Sequence, residues 1–464
     1  MVTGMKYYGF TVALATLLAA GGVQGQVLEE IVVTAQKREI GLQTAPIAVT
    51  AFTAEMLKRN RIFSVSDLAA TTPSLSLTQG TSPLDLEVNI RGITNTRLDA
   101  PSGEAAVGTF VDDVFIGRTG GMNTDYYDIE RIEVIRGPQG VLLGKGVIGG
   151  ALSIITAKPE FENSGAITVG MGSYDSQLVS GHVTGGLSDD WAARVSIQTR
   201  RHDGYAYDVL HDRELDNWDS QQIRAQLLYQ PDDSKWSGRL VVDYSKDHTN
   251  GQHTVGISDG LTGGFRPRPY SQLRAFLGLT DPRVSAPDET LYAGDTAPTQ
   301  QYLDREAGGL SLNIEADFGS FTFNSITGYR TGHANSMYSQ IGIRPDVFDS
   351  DQTFGGVTIA DFGVFDPSAA MFLFSEPVRE DLDYSAFSQE LRFTSTGESN
   401  IDWIAGLFYK NDEINKFDKF VAENPSGVLA TLSGQSNWDN RGDNTNIGVF
   451  GQVGYRFSDA LRLS

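Results

Sequence analysis

The chain has 464 residues, with 36 Lys and Arg against 58 Asp and Glu, for a formal net charge of −22. A balance this acidic excludes a nucleic-acid backbone as partner, because phosphate binding needs clustered positive charge. The lack of cysteine removes disulfides, thiolate metal sites and cysteine nucleophiles from consideration, while 51 glycines and 40% hydrophobic residues suit β structure better than a helical membrane protein or a disordered chain.

Residues 1–25 have the layout of a secretory signal peptide: a basic start at Lys6, an apolar run FTVALATLLAA over 10–20, then Gly21, Gly22 and Gly25. That run is too short for a membrane anchor, which needs about 20 apolar residues. No later stretch is long and apolar enough either, so a mature protein that sits in a membrane must cross it as a β-barrel.

Residues 44–160 read as a mixed α/β module. Short helices are predicted at 54–61 and 66–70, and strands at 86–90, 108–113, 129–135 and 151–156. The module ends in a glycine-rich block, DIERIEVIRGPQGVLLGKGVIGGALSIITAKP, over 128–159. A phosphate-binding P-loop fails here, because Gln139 stands where a glycine is needed and Gly146 follows Lys145. The dinucleotide fingerprint matches literally at Gly144, Gly146 and Gly149. It must open a helix, however, and a β-like run over 152–156 follows instead, so a tight glycine loop between strands is the better account.

From about Gly165 the chain alternates apolar and polar residues. Trp191, Ala193, Val195 and Ile197 oppose Arg194, Ser196, Gln198 and Arg200. The pattern recurs at Ile223–Tyr229, 236–244, 310–316, 401–409 and 447–455. A soluble sandwich also alternates. Here the apolar phase carries aromatics near strand ends (Trp191, Tyr229, Trp236, Tyr244, Phe321, Trp403, Tyr409, Tyr455), as a lipid-facing wall with an aromatic girdle requires. Short turns such as 187–190 and 231–234 alternate with long polar stretches near 201–220, 249–305 and 331–383, the asymmetry of periplasmic turns and external loops.

LEEIVVTAQKRE (28–39), TAPIAVTAF (44–52), DLAATTPSL (67–75), VNIRGI (88–93), VDDVFIGR (111–118) and the IERIEVIRGPQG…GGALSIITAKP block together resemble a TonB-dependent outer-membrane receptor. FSQELRFTS (387–395), WIAGLFY (403–409) and VFGQVGYRF (449–457) resemble its barrel strands. The resemblance implies an α+β N-terminal plug domain followed by an antiparallel transmembrane β-barrel of about 22 strands. Its divisions are a signal peptide at 1–25, a TonB box and linker at 26–43, the plug at 44–160 and a partial barrel at 161–464. The implied activity is import of a scarce large solute, a ferric siderophore first, with cobalamin, haem, oligosaccharide or plant aromatic compounds as rivals. The work comes from TonB, and indirectly from ExbB and ExbD. Outer-membrane lipid is the other partner, and the resemblance implies neither a cofactor nor an enzymatic activity.

Ile31, Val32, Val33, Thr34 and Ala35 resemble the TonB box. An unpaired β-branched run is suited to add a strand to a partner's exposed sheet edge, and a first plug strand paired internally is the competing reading. Arg91 and Arg136 resemble the plug arginines that pair with wall carboxylates, with Glu390 as first candidate partner because it shares the lumen-facing phase with Ser388 and Arg392. Gly137, Gly144, Gly149 and Gly150 form the plug glycine turn, although LLGKGVIGG departs from the family's usual LYGRNATGG. The six histidines, among them His182, His202 and His211, show no metal spacing. A passive channel or adhesin remains the alternative of another class, and a secreted glycosidase would need paired carboxylates in a cleft. About ten strands are predicted between 161 and 464, with another starting at Leu461. The chain is therefore expected to be part of a longer reading frame and not to close a pore alone.

Overall fold

The computed structural model describes residues 32–34, 37, 40–43, 47–79, 84, 86–93, 103, 105–116, 125–138, 147–208, 213–251, 301–339, 353–354, 357–358, 377–396, 400–421, 435–458 and 461–463. The leader peptide, Ile31, Ala35 and Gly144 lie outside them. Among the described residues no helix is long and apolar enough to cross a membrane.

The N-terminal module begins with two short strands, β1 (Val32–Val33) and β2 (Ile40–Gly41), paired antiparallel. There follow β3 (Ala48–Thr53), α1 (Ala54–Arg59), α2 (Val65–Thr71), β4 (Leu75–Gln79), β5 (Leu86–Ile90), β6 (Val107–Val111), β7 (Val114–Phe115), β8 (Ile129–Arg136) and β9 (Gly150–Thr156). The five-stranded sheet has the order β3-β8-β9-β6-β7, with β6 and β9 parallel, and β4–β5 form a separate pair. Helix α2 starts where Ser64 Oγ accepts from the Asp67 amide at 3.3 Å and the Asp67 carboxylate accepts from the Ser64 amide at 3.0 Å. This reciprocal cap satisfies amides that the helix leaves open. Both helices bury an apolar face on the sheet, where Leu57, Val65 and Leu68 meet Phe52, Ile132, Val134, Leu152 and Ile154. Sequence periodicity found both helices and four strands but missed β2, β3, β4 and β7, whose short runs carry too few alternations to register.

The second module is one sheet. Its strands are β10 (Ser164–Gly172), β11 (Ser176–Gly186), β12 (Trp191–His202), β15 (Trp218–Tyr229), β16 (Trp236–Thr249), β17 (Tyr302–Asp317), β18 (Phe321–Ser339), β21 (Pro377–Ser395), β22 (Ile401–Val421), β23 (Gln435–Ser458) and β24 (Leu461–Leu463). All eleven are joined antiparallel to their sequence neighbours in the sheet. Two small hairpins, β13 (Ala206–Asp208) with β14 (Arg213–Leu215) and β19 (Thr353–Phe354) with β20 (Val357–Thr358), sit in the connections. Among the described residues β10 pairs only with β11 and β24 only with β23, so the ends of this sheet do not meet.

The alternation resolves into an outer and an inner face. Outward Val195, Ile197, Ile223, Val242, Leu310, Leu407, Ile447 and Val449 are exposed, whereas inward Arg194, Ser196, Gln198, Gln222, Arg224 and Glu390 are buried. At the short-turn rim an aromatic cluster joins Trp191 to Tyr229 (4.8 Å), Trp236 to Phe318 (6.3 Å) and Phe321 to Trp403 (6.3 Å). A second tier, Tyr244, Tyr329, Phe387 and Tyr409, bounds the apolar band from the other side.

Strands β17, β18, β21, β22 and β23 have 16, 19, 19, 21 and 24 residues, where about 9–11 suffice to cross a bilayer. Residues 331–339 and 377–383, predicted as loop, are therefore strand. Their outward phase turns polar beyond the second aromatic tier, which erases the alternation while the backbone ladder continues. One cross-strand row there runs Lys246, Glu306, His333, Asp383, Asn415 and Arg441.

Candidate functional site

The segment 32–34, expected from sequence to be part of the TonB box, is held on three sides. Val33 is fully buried against Ala51, Leu42, Ile47 and Val49, and β1 spends its free edge on β2. The Thr34 amide and hydroxyl both donate to Glu133 Oε1, at 2.8 and 3.0 Å. Lys37, with a positive φ of 57°, turns the chain back and sends its ammonium through to the barrel wall, where it bonds to Glu390. It also lies 5.2 Å from the ring centre of Phe450, a cation–π distance. Burial pulls the Lys37 ammonium below its ordinary value, opposed by the carboxylate of Glu390. The run predicted to be unpaired is thus paired at Val32 and Val33.

Glu390 lies on the inner face as its phase required. Its plug partner differs from the expectation. Among the described residues no ion pair joins it to Arg91 or Arg136; it pairs with Lys37 and with Arg392, its neighbour on β21, at 3.4 Å. Arg91 is exposed with φ 55°, its amide bonded to Ser74. Arg136 ends β8, where burial and then the positive charge of Arg91 work against its own. The reason is position: Glu390 is reached first by the cation just behind β1. The signal available in sequence was Lys37 itself, in AQKRE immediately after the β-branched run.

Residues 125–128, Asp-Tyr-Tyr-Asp, form a further contact between the modules. The Asp128 carboxylate takes the Arg194 guanidinium side-on, at 2.5 and 2.7 Å, and accepts from the Ser196 hydroxyl. Burial alone raises the Asp128 carboxyl, but the hydrogen bonds from Arg194 and Ser196 outweigh it and hold the group below the usual carboxylate range. Asp125 accepts from Arg200 and Ser220, each at 2.8 Å. Between them Arg224 stacks on Tyr127 at 4.4 Å and donates to its carbonyl at 3.2 Å. Burial pushes the Tyr127 hydroxyl up to about 12, so it stays neutral. Inward residues of β12 and β15 read every second position and so present one polar stripe to this segment. Sequence reasoning missed it because neither aspartate carries a motif of its own.

The β6–β7 turn is the second wall contact. Asp112 and Asp113 have φ of 48° and 69°, as a two-residue I′ hairpin demands. Asp112 accepts from Thr156, at 3.0 Å from the amide and 2.7 Å from the hydroxyl, and pairs with Arg239 at 2.9 Å. Asp113 pairs with Arg392 at 3.0 Å. Val114 then packs on Gly328 of β18 so closely that a Cβ there would lie 2.5 Å from its Cγ1.

The glycine turn closes where β8 hands over to β9. Gly137 has φ 99° and its amide donates to the Gly149 carbonyl at 3.0 Å. Gly150 has φ 144°, and a Cβ on it would meet the Ile135 carbonyl at 2.2 Å. Gly149 and Gly150 lead into a strand, so the nucleotide fingerprint finds no helix here. Among the described residues no group of three or more His, Asp or Glu side chains gathers as a metal site.

Residues 41–151 match the family described as TonB-dependent Receptor Plug Domain. That segment is thus similar to the plug of TonB-dependent receptors. The chain is similar to the ferrioxamine receptor of Yersinia enterocolitica, 31% identical over 156 residues, which cover 33% of this chain and 21% of that one. It is also similar to a vitamin B12 transporter of Photobacterium profundum, 28% identical over 38% of this chain and 28% of the relative. In fold it resembles the ferric yersiniabactin uptake receptor of Yersinia pestis, with a TM-score of 0.64 at 16% identity over 89% of this chain and 62% of that one. The ferripyoverdine receptor of Pseudomonas aeruginosa gives 0.66 at 12% identity over 92% and 52%. The chain thus spans less than two thirds of the length of these relatives. The fold, a plug module against antiparallel barrel strands, is the one these outer-membrane receptors share, and the similar proteins are receptors and transporters rather than enzymes.

Proposed function

We propose that this receptor imports a scarce, large solute across the outer membrane, a ferric siderophore first, with work delivered by TonB to residues 31–35. In this reading 1–25 is removed on export, 26–43 is the coupling strand and linker, 44–160 the plug, and 161–464 part of the barrel wall. The observation that carries it is the placement of β1: a β-branched strand, paired over two residues among those described, sits at the head of a module bonded to the inner face of the barrel wall. A strand joined to a partner's sheet edge transmits tension through main-chain hydrogen bonds, and the plug is what that tension acts on. A diffusion pore needs neither part. The siderophore assignment is supported by the ferrioxamine, yersiniabactin and pyoverdine receptors among the similar proteins, and cobalamin stands second because of the vitamin B12 transporter.

Deletion of 31–35 is expected to leave cell-surface binding of a radiolabelled ferric siderophore unchanged and to reduce its uptake to the level seen with a collapsed proton gradient. Uptake that survives the deletion removes the coupling role. Uptake of labelled cobalamin but no iron complex, lost with the same deletion, moves the cargo assignment to the second reading.

A further inference from the structure

Four charges of alternating sign run from plug to wall and back: Lys37, Glu390, Arg392 and Asp113. The plug supplies the two ends from separate places, Lys37 from between β1 and β2 and Asp113 from the β6–β7 turn. The wall supplies the middle pair from successive inward positions of β21. Side-chain exposures are 4% for Lys37, 4% for Glu390, 7% for Arg392 and 33% for Asp113, so water does little to screen the first three.

The end links are well made, by Lys37 on Glu390 Oε2 and by Arg392 Nη2 on Asp113 Oδ2 at 3.0 Å. The middle one is slack. Arg392 Nη1 lies 3.4 Å from Glu390 Oε1, and neither atom has a hydrogen-bond partner among the described residues. Glu315 also lies in the field of Arg392 but is engaged by Asn324 at 2.8 Å. Each wall charge therefore has one good plug partner and one slack alternative, the other wall charge.

A buried charge does not stay unpaired. If the β6–β7 turn withdraws Asp113, Arg392 turns to Glu390 and neutralises it. Lys37 then shares its counter-ion with a guanidinium, in a place where burial already works against its charge, and its better alternative is water. Leaving for water, it carries away the segment that joins β1 to β2.

We propose that Lys37 is a positioning residue that keeps the coupling strand closed on the plug, and that Asp113 sets the strength of that hold through Arg392 and Glu390, so that displacement of the β6–β7 turn opens β1. The importance of the opening rests on the coupling role proposed above for residues 31–35. The hold itself is measurable without partner or cargo.

The chain has no cysteine and Val33 is fully buried, so the reaction rate of V33C with a membrane-impermeant maleimide in outer-membrane fragments reads opening directly. T109C, at a buried position in the plug sheet, reads loss of the fold. Lys37→Met is expected to raise the V33C rate by about 5-fold or more, the lower end of ordinary site-to-site coupling, with T109C unreactive; Lys37→Arg returns it towards the starting rate. Asp113→Asn is expected to raise the V33C rate in the same direction, and to add nothing once Lys37 is Met. An unchanged rate in Lys37→Met, or an Asp113→Asn effect of equal size in both backgrounds, overturns the proposal. Should Lys37→Met also expose T109C, Asp113→Asn carries the test alone, since Asp112 still holds that turn to Arg239 and Thr156: a rise in V33C without T109C supports the link and no rise sinks it. Uptake that fails to depend on 31–35 while the labelling behaves as stated defeats the import reading only.

Discussion

Asp128 shows how much one side chain decides. Its carboxylate meets a guanidinium edge-on in a site where both partners are under 10% exposed, and removing one member of such a pair strands the other at about 3–5 kcal/mol. Asp128→Ala is therefore expected to destabilise the module contact by about that amount, read as a shift in the urea unfolding midpoint. The folded carboxyl is depressed, so its contribution is complete above the unfolded value of about 4 and is lost as pH falls through the lower folded value. The difference between wild type and Asp128→Asn should be constant from about pH 8 to pH 5 and shrink only below about pH 4. A difference that changes near neutrality instead contradicts this account. At Glu390 the inward phase was readable from its neighbours two residues away, but the identity of its cation was not. Lys37 and Glu390 are 353 residues apart in sequence, and no local pattern links them.

At the scale of elements, periodicity worked where a strand has one greasy face and one wet face. It found the strands crossing the apolar band, both plug helices and the strand beginning at Leu461. It failed where both faces are polar, and so β18 and β21 run on through residues predicted as loop. It failed also for β1, whose β-branched run is equally fit to pair within the chain or with a partner. Here pairing with β2, burial of Val33 and the Thr34–Glu133 bonds choose the internal partner. In the β6–β7 turn VDDV names its own geometry, because aspartate tolerates positive φ better than most residues. Asp113→Pro is expected to prevent the turn, since proline cannot adopt φ of 69°, and to raise protease cleavage between β6 and β7; an unchanged digestion pattern counts against the hairpin.

At the scale of the whole molecule, the outer surface is layered along the strands: an aromatic rim at the short turns, an apolar band, a second aromatic tier, then a polar collar. Lys246 meets Glu306 at 3.0 Å and His333 meets Asp383 at 2.8 Å in that collar. Membrane cost follows depth, so Val242→Arg in the band is expected to destabilise by about 2–4 kcal/mol, and Glu306→Ala in the collar by about 1 kcal/mol or less. Measured in lipid bilayers, equal costs at the two positions contradict the layering. The plug lies against the inner face at several places drawn from separated parts of its sequence, among them 125–128, the β6–β7 turn and Lys37.

What the sequence determined by itself was what has a short period and a mixed face: the phase of the band-crossing strands, the lipid-facing wall, the two helices, and the glycine turn that no larger residue can make. The ordered motifs of the plug also pointed to the family whose plug model matches residues 41–151. The tertiary structure alone decided which charges meet. An ion pair depends on the three-dimensional separation of two heads, and register, turn geometry and module docking all intervene before Lys37 reaches Glu390 or Arg194 reaches Asp128.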